Sequence, residues 1–195
     1  MKISQLLKSK FRFDAKSKVR SILTVMGKQP TVFEDGTFYG NNLELTSLEG
    51  APTEIVGPVK TAFFCCYCNK LPSLQYAPVK VDGSFDCSVN LLTSLKYSPT
   101  SVGCDFECEE NKLTSLEGIH KQIKKIKGKF YAPDNKLESH LLGLILIDGI
   151  TRIEIDNKDI EEILNRHLRH PNKKLAMLQC QQELIDAGFE EAAQL

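Results

Sequence analysis

Residues 85–95 read FDCSVNLLTSL, and residues 106–116 read FECEENKLTSL. The two stretches carry Phe, Cys, Asn and two Leu at the same offsets, 21 residues apart. Alignment on the aromatic residue gives five copies of the phrase, which begin at Phe38, Phe64, Phe85, Phe106 and Phe130. The intervals between these Phe residues are 26, 21, 21 and 24 residues. A period of this length predicts a structural unit that stacks on copies of itself.

Each repeated position has a physical reason. Phe and Cys are two residues apart, so they point to the same side of a short strand. The Asn that follows is expected to hydrogen-bond backbone groups that the next turn leaves unpaired. The Leu residues fill the interior, which a single coil cannot close by itself. We therefore predict an α/β chain, in which a solenoid of four to five coils carries a parallel sheet on its concave side.

Written as F-x-C-x-x-N-x-L-x-x-L, the phrase resembles the leucine-rich-repeat consensus, with Phe and Cys in two Leu positions. The resemblance covers residues 36–155, although His140 replaces a Leu and His120 a Pro in the fifth copy. The 21-residue period and the segment L95-KYS-P99-TS-V102 resemble the short repeats of bacterial secreted effectors. The stretches NKLTSLEG and QCQQELIDAGFEEAAQL resemble uncharacterised leucine-rich-repeat-like proteins of large tailed phages. For a phage protein, this resemblance implies a host or viral partner in the cytoplasm of the infected host.

The repeats divide the chain into three segments: a basic, partly helical N-terminal cap over 1–30, a solenoid over 31–155 and a helical C-terminal cap over 156–195. The cap is expected to contain a helix that ends at Pro171 and a second helix from about 172 to 187. Their apolar stripes are Ile160, Ile163, Leu164 and Leu168 in the first helix, and Leu175, Leu178 and Ile185 with Gln182 in the second. We expect both helices to cover the last coil, with docking of a partner as the alternative.

Charge and hydropathy restrict the setting. Lys plus Arg and Asp plus Glu both number 25, so no overall field favours nucleic acid or a membrane. Basic residues are concentrated in 1–20, and nucleic-acid binding through that segment is an alternative function. No secretory signal pattern and no apolar run of about 18 residues is evident, and seven cysteines then suggest free thiols in the cytoplasm. The longest apolar run, 141–147, is expected to be a buried strand or turn.

The cysteines raise the question of a metal site. The stretch C65-C66-Y67-C68 has metal-ligand spacing, and Cys104 with Cys108 could form a second pair. The pairs lie two coils apart, about 10 Å in a parallel sheet, whereas zinc thiolates must lie within about 4 Å of one another. We therefore expect no metal, with Cys66 and Cys108 as inward fillers and Cys65 as an exposed thiol.

No catalytic motif is present. The chain has no G-x-S-x-G, P-loop, dinucleotide fingerprint or H-E-x-x-H sequence. His167 and His170 are spaced for a metal on a helix, but no third ligand is near them, and a solvent-facing helix end is expected. We predict a protein without enzymatic activity and without a cofactor.

The functional signal lies in the residues that flank Phe and Cys, because these must line the exposed face of the sheet. Across the coils they change from aromatic to small polar, then acidic, then basic. Exposed aromatic residues beside charges are typical of recognition surfaces. The predicted partner-binding residues are Tyr39, Phe63, Tyr67, Asp86, Asp105, Glu107, Glu109, Lys129 and Tyr131. We expect a protein partner with a basic patch rather than nucleic acid or a membrane, and self-assembly through coil edges is the remaining alternative.

Overall fold

The computed structural model describes residues 37–195 and the backbone of two short strands at 20–21 and 31–32. The chain winds into a β-solenoid of about five turns, followed by a helical segment. The predicted fold class is therefore confirmed. Of the predicted N-terminal cap, only the strand at 20–21 is described, and the rest of 1–30 lies outside the described residues.

The first sheet contains the repeated Phe residues. Its strands are β1 (Arg20–Ser21), β2 (Thr31–Val32), β3 (Phe38–Tyr39), β5 (Phe64–Cys65), β7 (Phe85–Asp86), β9 (Phe106–Glu107), β11 (Lys129–Tyr131) and β12 (Arg152–Glu154). They lie in that order, and every pairing from β3 to β12 is parallel. An antiparallel hairpin of β1 and β2 extends the sheet beyond β3. The parallel part was predicted from the sequence, and the hairpin was not.

A second, four-stranded parallel sheet lies on the other side of each coil. Its strands are β4 (Glu54–Ile55), β6 (Lys80–Val81), β8 (Ser101–Val102) and β10 (Lys125–Ile126), in the order β10-β8-β6-β4. In each strand the Ile or Val is fully buried. This second sheet was not predicted from the sequence, because a two-residue strand has no alternation to detect.

The core is a column of aromatic rings. Phe38, Phe64, Phe85, Phe106 and Phe130 are paired in register along the first sheet. The ring centroids of successive pairs are 4.6, 5.5, 5.2 and 5.7 Å apart. Beside this column, Cys66, Cys87 and Cys108 are fully buried, as the sequence predicted for small inward fillers.

The repeated Asn residues join one coil to the next. Asn90 Oδ1 accepts a hydrogen bond from Leu71 N at 3.0 Å, and its Nδ2 donates to Cys66 O, Cys87 O and Ser88 O. Asn69, Asn111 and Asn135 make the equivalent bonds. One side chain therefore satisfies backbone groups of two coils, which confirms the role expected for Asn.

Four helical segments complete the described fold: α1 (Ile119–Gln122), a 3₁₀ helix (Leu142–Leu146), α2 (Lys158–His167) and α3 (Lys173–Asp186). The 3₁₀ helix occupies the buried apolar run for which a strand or turn was expected. Asn157 caps α2 by accepting from Asp159 N and Ile160 N. Among the described residues, no helix is long and apolar enough to cross a bilayer.

Helix α2 covers the last edge of the first sheet. Asn165 accepts from Ile153 N at 2.8 Å and donates to Ile153 O at 2.8 Å. Glu161 Oε2 accepts from Ile155 N at 2.9 Å. The side chains of one helix thus satisfy backbone groups that an exposed edge strand would offer to another chain.

The apolar stripe assigned to the second cap helix was wrong. Leu175, Leu178 and Ile185 on α3 are exposed, whereas the buried side chains are Ala176, Cys180 and Leu184. Two of the three buried side chains, Ala176 and Cys180, are small, which allows the helix to approach its neighbours closely. Hydrophobic spacing alone does not distinguish these two faces.

Candidate protein-binding face

The register of the first sheet places one residue from each strand in a single outward row. Parallel pairing aligns Tyr39 with Cys65, Asp86, Glu107, Tyr131 and Glu154. We call these six residues the outward row; neighbouring members lie about 4.8 Å apart along the sheet. Two further rows flank it, because side chains two residues away on a strand share the same face.

The aromatic residues predicted for this face are less exposed than the sequence suggested. Tyr39 is 38% exposed at one end of the row. The other three rings are half-buried: those of Phe63, Tyr67 and Tyr131. They can contact a partner through their edges, and Tyr39 presents the largest aromatic surface of the four.

Four carboxyl groups predicted from the sequence come together on β7, on β9 and on the residues just before and after β9. We call Asp86, Asp105, Glu107 and Glu109 the acidic face. Three of them are hydrogen-bonded: Asp86 Oδ1 accepts from Ser88 N at 3.0 Å, Asp105 Oδ1 from Lys129 N at 2.7 Å, and Glu109 Oε2 from Ser88 Oγ at 2.6 Å. Asp105 is therefore held by the following coil and Glu109 by the preceding one, whereas this bond to Asp86 comes from the backbone of its own coil.

Glu107 is the exception within the acidic face. Within residues 37–195 no hydrogen bond or ion pair reaches its carboxyl group. Burial raises the pKa of Glu107 to about 7, with further contributions from Asp86, Glu109 and Asp105. The only opposing contribution is a smaller one from Lys129. A half-buried carboxyl group among three others is a site where an added cation would relieve repulsion.

Cations lie at one border of the acidic face, but they are already paired. Lys129 Nζ lies 2.9 Å from Glu154 Oε1, and Arg152 Nε lies 3.2 Å from the same oxygen. Arg152 also approaches Glu161 at 3.8 Å. Lys129 was predicted as a partner-binding residue, whereas Arg152 and Glu154 were missed. Their signal was present in 152–154, where Ile153 takes the place of Phe at the end of the repeats.

The thiol beside the acidic face is not activated. Cys65 is half-buried, and its Sγ donates to Asp86 Oδ2 at 3.5 Å. Burial raises its pKa to about 12, and the negative charge of Asp86 adds to that shift. Cys65 lies on the outward side of the strand, as its parity predicted, but the thiol is half-buried rather than exposed, and its thiolate would form next to a carboxylate.

The histidine expectation also changes. His167 does not face solvent: its Nε2 lies 2.8 Å from Glu183 Oε2 and links α2 to α3. His170 Nδ1 instead contacts the backbone of Asn172. Within the described part of the chain, no group of three or more His, Cys, Asp or Glu side chains could hold a metal ion.

Fold and face together define a class: a parallel-strand solenoid of stacked coils with one strongly acidic patch on its main sheet. Comparison with known protein families, with curated proteins and with solved structures finds no match for this chain. The class is therefore defined by the fold and by the sequence repeat alone.

Proposed function

We propose that the chain is a non-catalytic protein-binding module that recognises a basic patch on a partner protein through the first sheet. The observation that carries this proposal is the unpaired carboxyl group of Glu107 at the centre of the acidic face. A Lys or Arg side chain placed there would gain a charge-assisted hydrogen bond and remove repulsion among four carboxyl groups.

The rigidity of the coils supports this function. Asp86, Asp105 and Glu109 are held by hydrogen bonds before any partner arrives. These side chains then lose little conformational entropy on binding, which favours affinity without a large contact area. Tyr39 and the partly covered rings of Phe63, Tyr67 and Tyr131 would supply the apolar part of the contact.

The resemblance to phage proteins supplies a setting for this proposal. In that setting the module acts in the cytoplasm of an infected host, and the partner is a host or viral protein. A basic segment of such a protein would lie across β7, β9 and β11, with its cation at Glu107.

The test compares baits that differ in one charge. Wild-type chain and Glu107→Lys are used to capture proteins from the native cell, and the bound proteins are quantified. Glu107→Lys is expected to lose the specific partner because it places a cation where the partner's cation binds. Asp105 is left intact, since its carboxylate accepts from the backbone of the next coil. Glu138→Lys, an exposed site away from the acidic face, is the matched control and should retain the partner.

Retention of the same partner by Glu107→Lys would overturn the proposal. Once the partner is purified, its affinity should fall as the pH is lowered through about 7, because protonation of Glu107 removes the charge that the partner binds. Glu107→Gln should remove that pH dependence. A pH-dependent affinity that survives in Glu107→Gln would assign the effect to another group.

A further inference from the structure

A second surface begins at the turns that lead into the second sheet. In successive coils the same turn position is held by Gly50, Tyr76, Tyr97 and Gly118, all with positive φ, at 94°, 71°, 70° and 67°. Glycine adopts this left-handed conformation without steric cost, whereas a bulky side chain there is an outlier. The two middle coils therefore keep a strained residue where their neighbours use glycine.

The strain is not compensated by burial. Tyr76 is 51% exposed and Tyr97 is 47% exposed. A tyrosine that adds neither core packing nor an easy backbone conformation indicates that the ring itself has a use. Residues held in such conformations cluster at functional sites.

Lysines lie close to Tyr97 and in the coil that follows it. The segment 118–133, GIHKQIKKIKGKFYAP, contains five lysines and no acidic residue. Lys121, Lys124 and Lys125 are exposed, and no salt bridge involves them or Lys96 among the described residues. Lys96 Nζ lies 5.1 Å from the centroid of the Tyr97 ring.

A groove lies beside Lys96, the lysine that contacts the Tyr97 ring. It has a volume of about 420 Å³ and lies between the turns of two consecutive coils, where Lys96 and Lys121 line it together with one acidic residue, Glu117. Gly118 forms part of its wall, and a Cβ atom built at Gly118 would lie 4.0 Å from Lys121 Cδ. The lysine side chain therefore extends next to the position that corresponds to Tyr97 in the following coil.

We propose that this tyrosine–lysine surface, formed by Tyr76, Tyr97, Lys96, Lys121, Lys124 and Lys125, binds single-stranded nucleic acid. The lysines would contact phosphates, and the exposed rings would stack on bases, which is the combination that single-strand binders use. An acidic protein segment would satisfy the lysines but would leave two strained rings without a role. The proposal does not depend on the acidic face, which would repel the same ligand.

From the sequence, a nucleic-acid partner was not expected, because the overall charge is balanced and the one basic cluster that stood out was the segment 1–20. Folding changes that estimate, since it brings Lys96 of one coil beside Lys121 of the next around one groove. The charge separation between the two sides of the solenoid is invisible in the net charge of zero.

The test is fluorescence anisotropy of the full chain with a labelled oligothymidine of about 15 nucleotides at low and moderate salt. Binding is expected, with a slope of log K against log salt of about −2, because roughly three phosphates are neutralised at about 0.7 each. Tyr76→Gly with Tyr97→Gly should weaken binding by about 10-fold or more, since base–aromatic stacking is lost. This variant should fold, because Gly50 and Gly118 hold the same backbone conformation.

Lys121→Glu with Lys125→Glu should also weaken binding and make the salt slope shallower. Lys174→Glu, at an exposed site on α3, is the matched charge-reversal control and should bind as wild type does. The proposal is overturned if wild type does not bind at low salt, or if the glycine variant binds unchanged. It is also overturned if polyglutamate competes as well as the oligonucleotide, or if only deletion of 1–20 abolishes binding.

Discussion

The two sides of the first sheet follow different rules. On the inward side the same aromatic residue recurs in five successive strands, and its rings form one column. On the outward side of the same strands, no residue type is repeated in neighbouring members of the outward row from Tyr39 to Tyr131. Backbone geometry is shared by both sides, so the difference reflects what each side contacts.

Inward residues contact copies of themselves. A ring in one coil packs on the ring above and the ring below, so a change in one coil alters the fit of two others. Outward residues are partly exposed and do not pack on copies of themselves, so they are freer to vary unless a ligand selects them. Adjacent carboxyl groups such as Asp86 and Glu107 cost stability in the isolated chain, which identifies them as candidates for such selection.

The largest difference in stability between the two sides is expected for substitutions at two adjacent residues of β9. Phe106→Ala should lower the free energy of unfolding by about 3–5 kcal/mol, because it opens a cavity within the column. Glu107→Ala should change it by less than about 0.5 kcal/mol at pH 5, because the side chain makes no hydrogen bond in residues 37–195. Urea denaturation of both variants measures the contrast. Similar losses for the two variants would contradict the separation into two sides.

A second test removes the hydrogen bonds of one interior Asn side chain. Asn111→Leu should cost about 2–4 kcal/mol, because it leaves Leu92 N without its acceptor and removes one of the two Asn donors from both Cys87 O and Cys108 O. Asn41→Leu, on the outward side, is the matched control and should cost less than about 0.5 kcal/mol. Thermal unfolding followed by circular dichroism decides between them. Equal stability of the two variants would show that the Asn bonds add nothing beyond packing.

A smaller effect should appear as pH dependence on the outward side. The folded-state pKa of Glu107 is raised from 4.5 to about 7, so its stabilising contribution is complete below pH 4.5 and is lost as the pH rises through 7. At pH 8, Glu107→Gln should therefore be more stable than wild type by about 1 kcal/mol, which allows for solvent screening. Near pH 5 the difference should shrink. Stability curves of the two proteins that run parallel from pH 5 to 8 would contradict the raised pKa.

Much of the solenoid was predictable because the core residues are the repeated ones. The intervals between Phe38, Phe64, Phe85 and Phe106 gave the register of four strands directly. The last strand was not recognised as part of the binding face, because Ile153 replaces Phe. The second sheet escaped prediction because its two-residue strands are defined by pairing between coils, which no local pattern records.

The site was predictable only as a set of positions. Alternation named Asp86, Glu107 and Glu109 as outward, and the structure brings them together. It could not show that Glu109 is hydrogen-bonded to Ser88 while Glu107 is unpaired, because that depends on side-chain conformations of neighbouring coils. Strain at Tyr76 and Tyr97 was equally hidden, since the sequence does not give φ.

The smallest predicted effect tests whether strain can exist without function. Val89 has a φ of 52°, and the equivalent positions in the other coils hold Asn42, Cys68, Glu110 and Asp134 at 57°, 54°, 48° and 54°. A β-branched residue is unfavourable in this conformation, whereas Asn tolerates it. Val89→Asn should therefore raise the free energy of unfolding by about 0.5–1 kcal/mol, measured by urea denaturation.

The control for this substitution is Val56→Asn, at an exposed site with an ordinary backbone conformation, where the change should be close to zero. Val89 carries no exposed aromatic ring and adjoins no basic groove, so relief of its strain should leave oligonucleotide binding unchanged. The tyrosine variants should instead separate the two quantities, with stability kept or raised and binding lost. If Val89→Asn also weakened oligonucleotide binding, left-handed strain would mark a general property of the coils rather than the tyrosine–lysine surface.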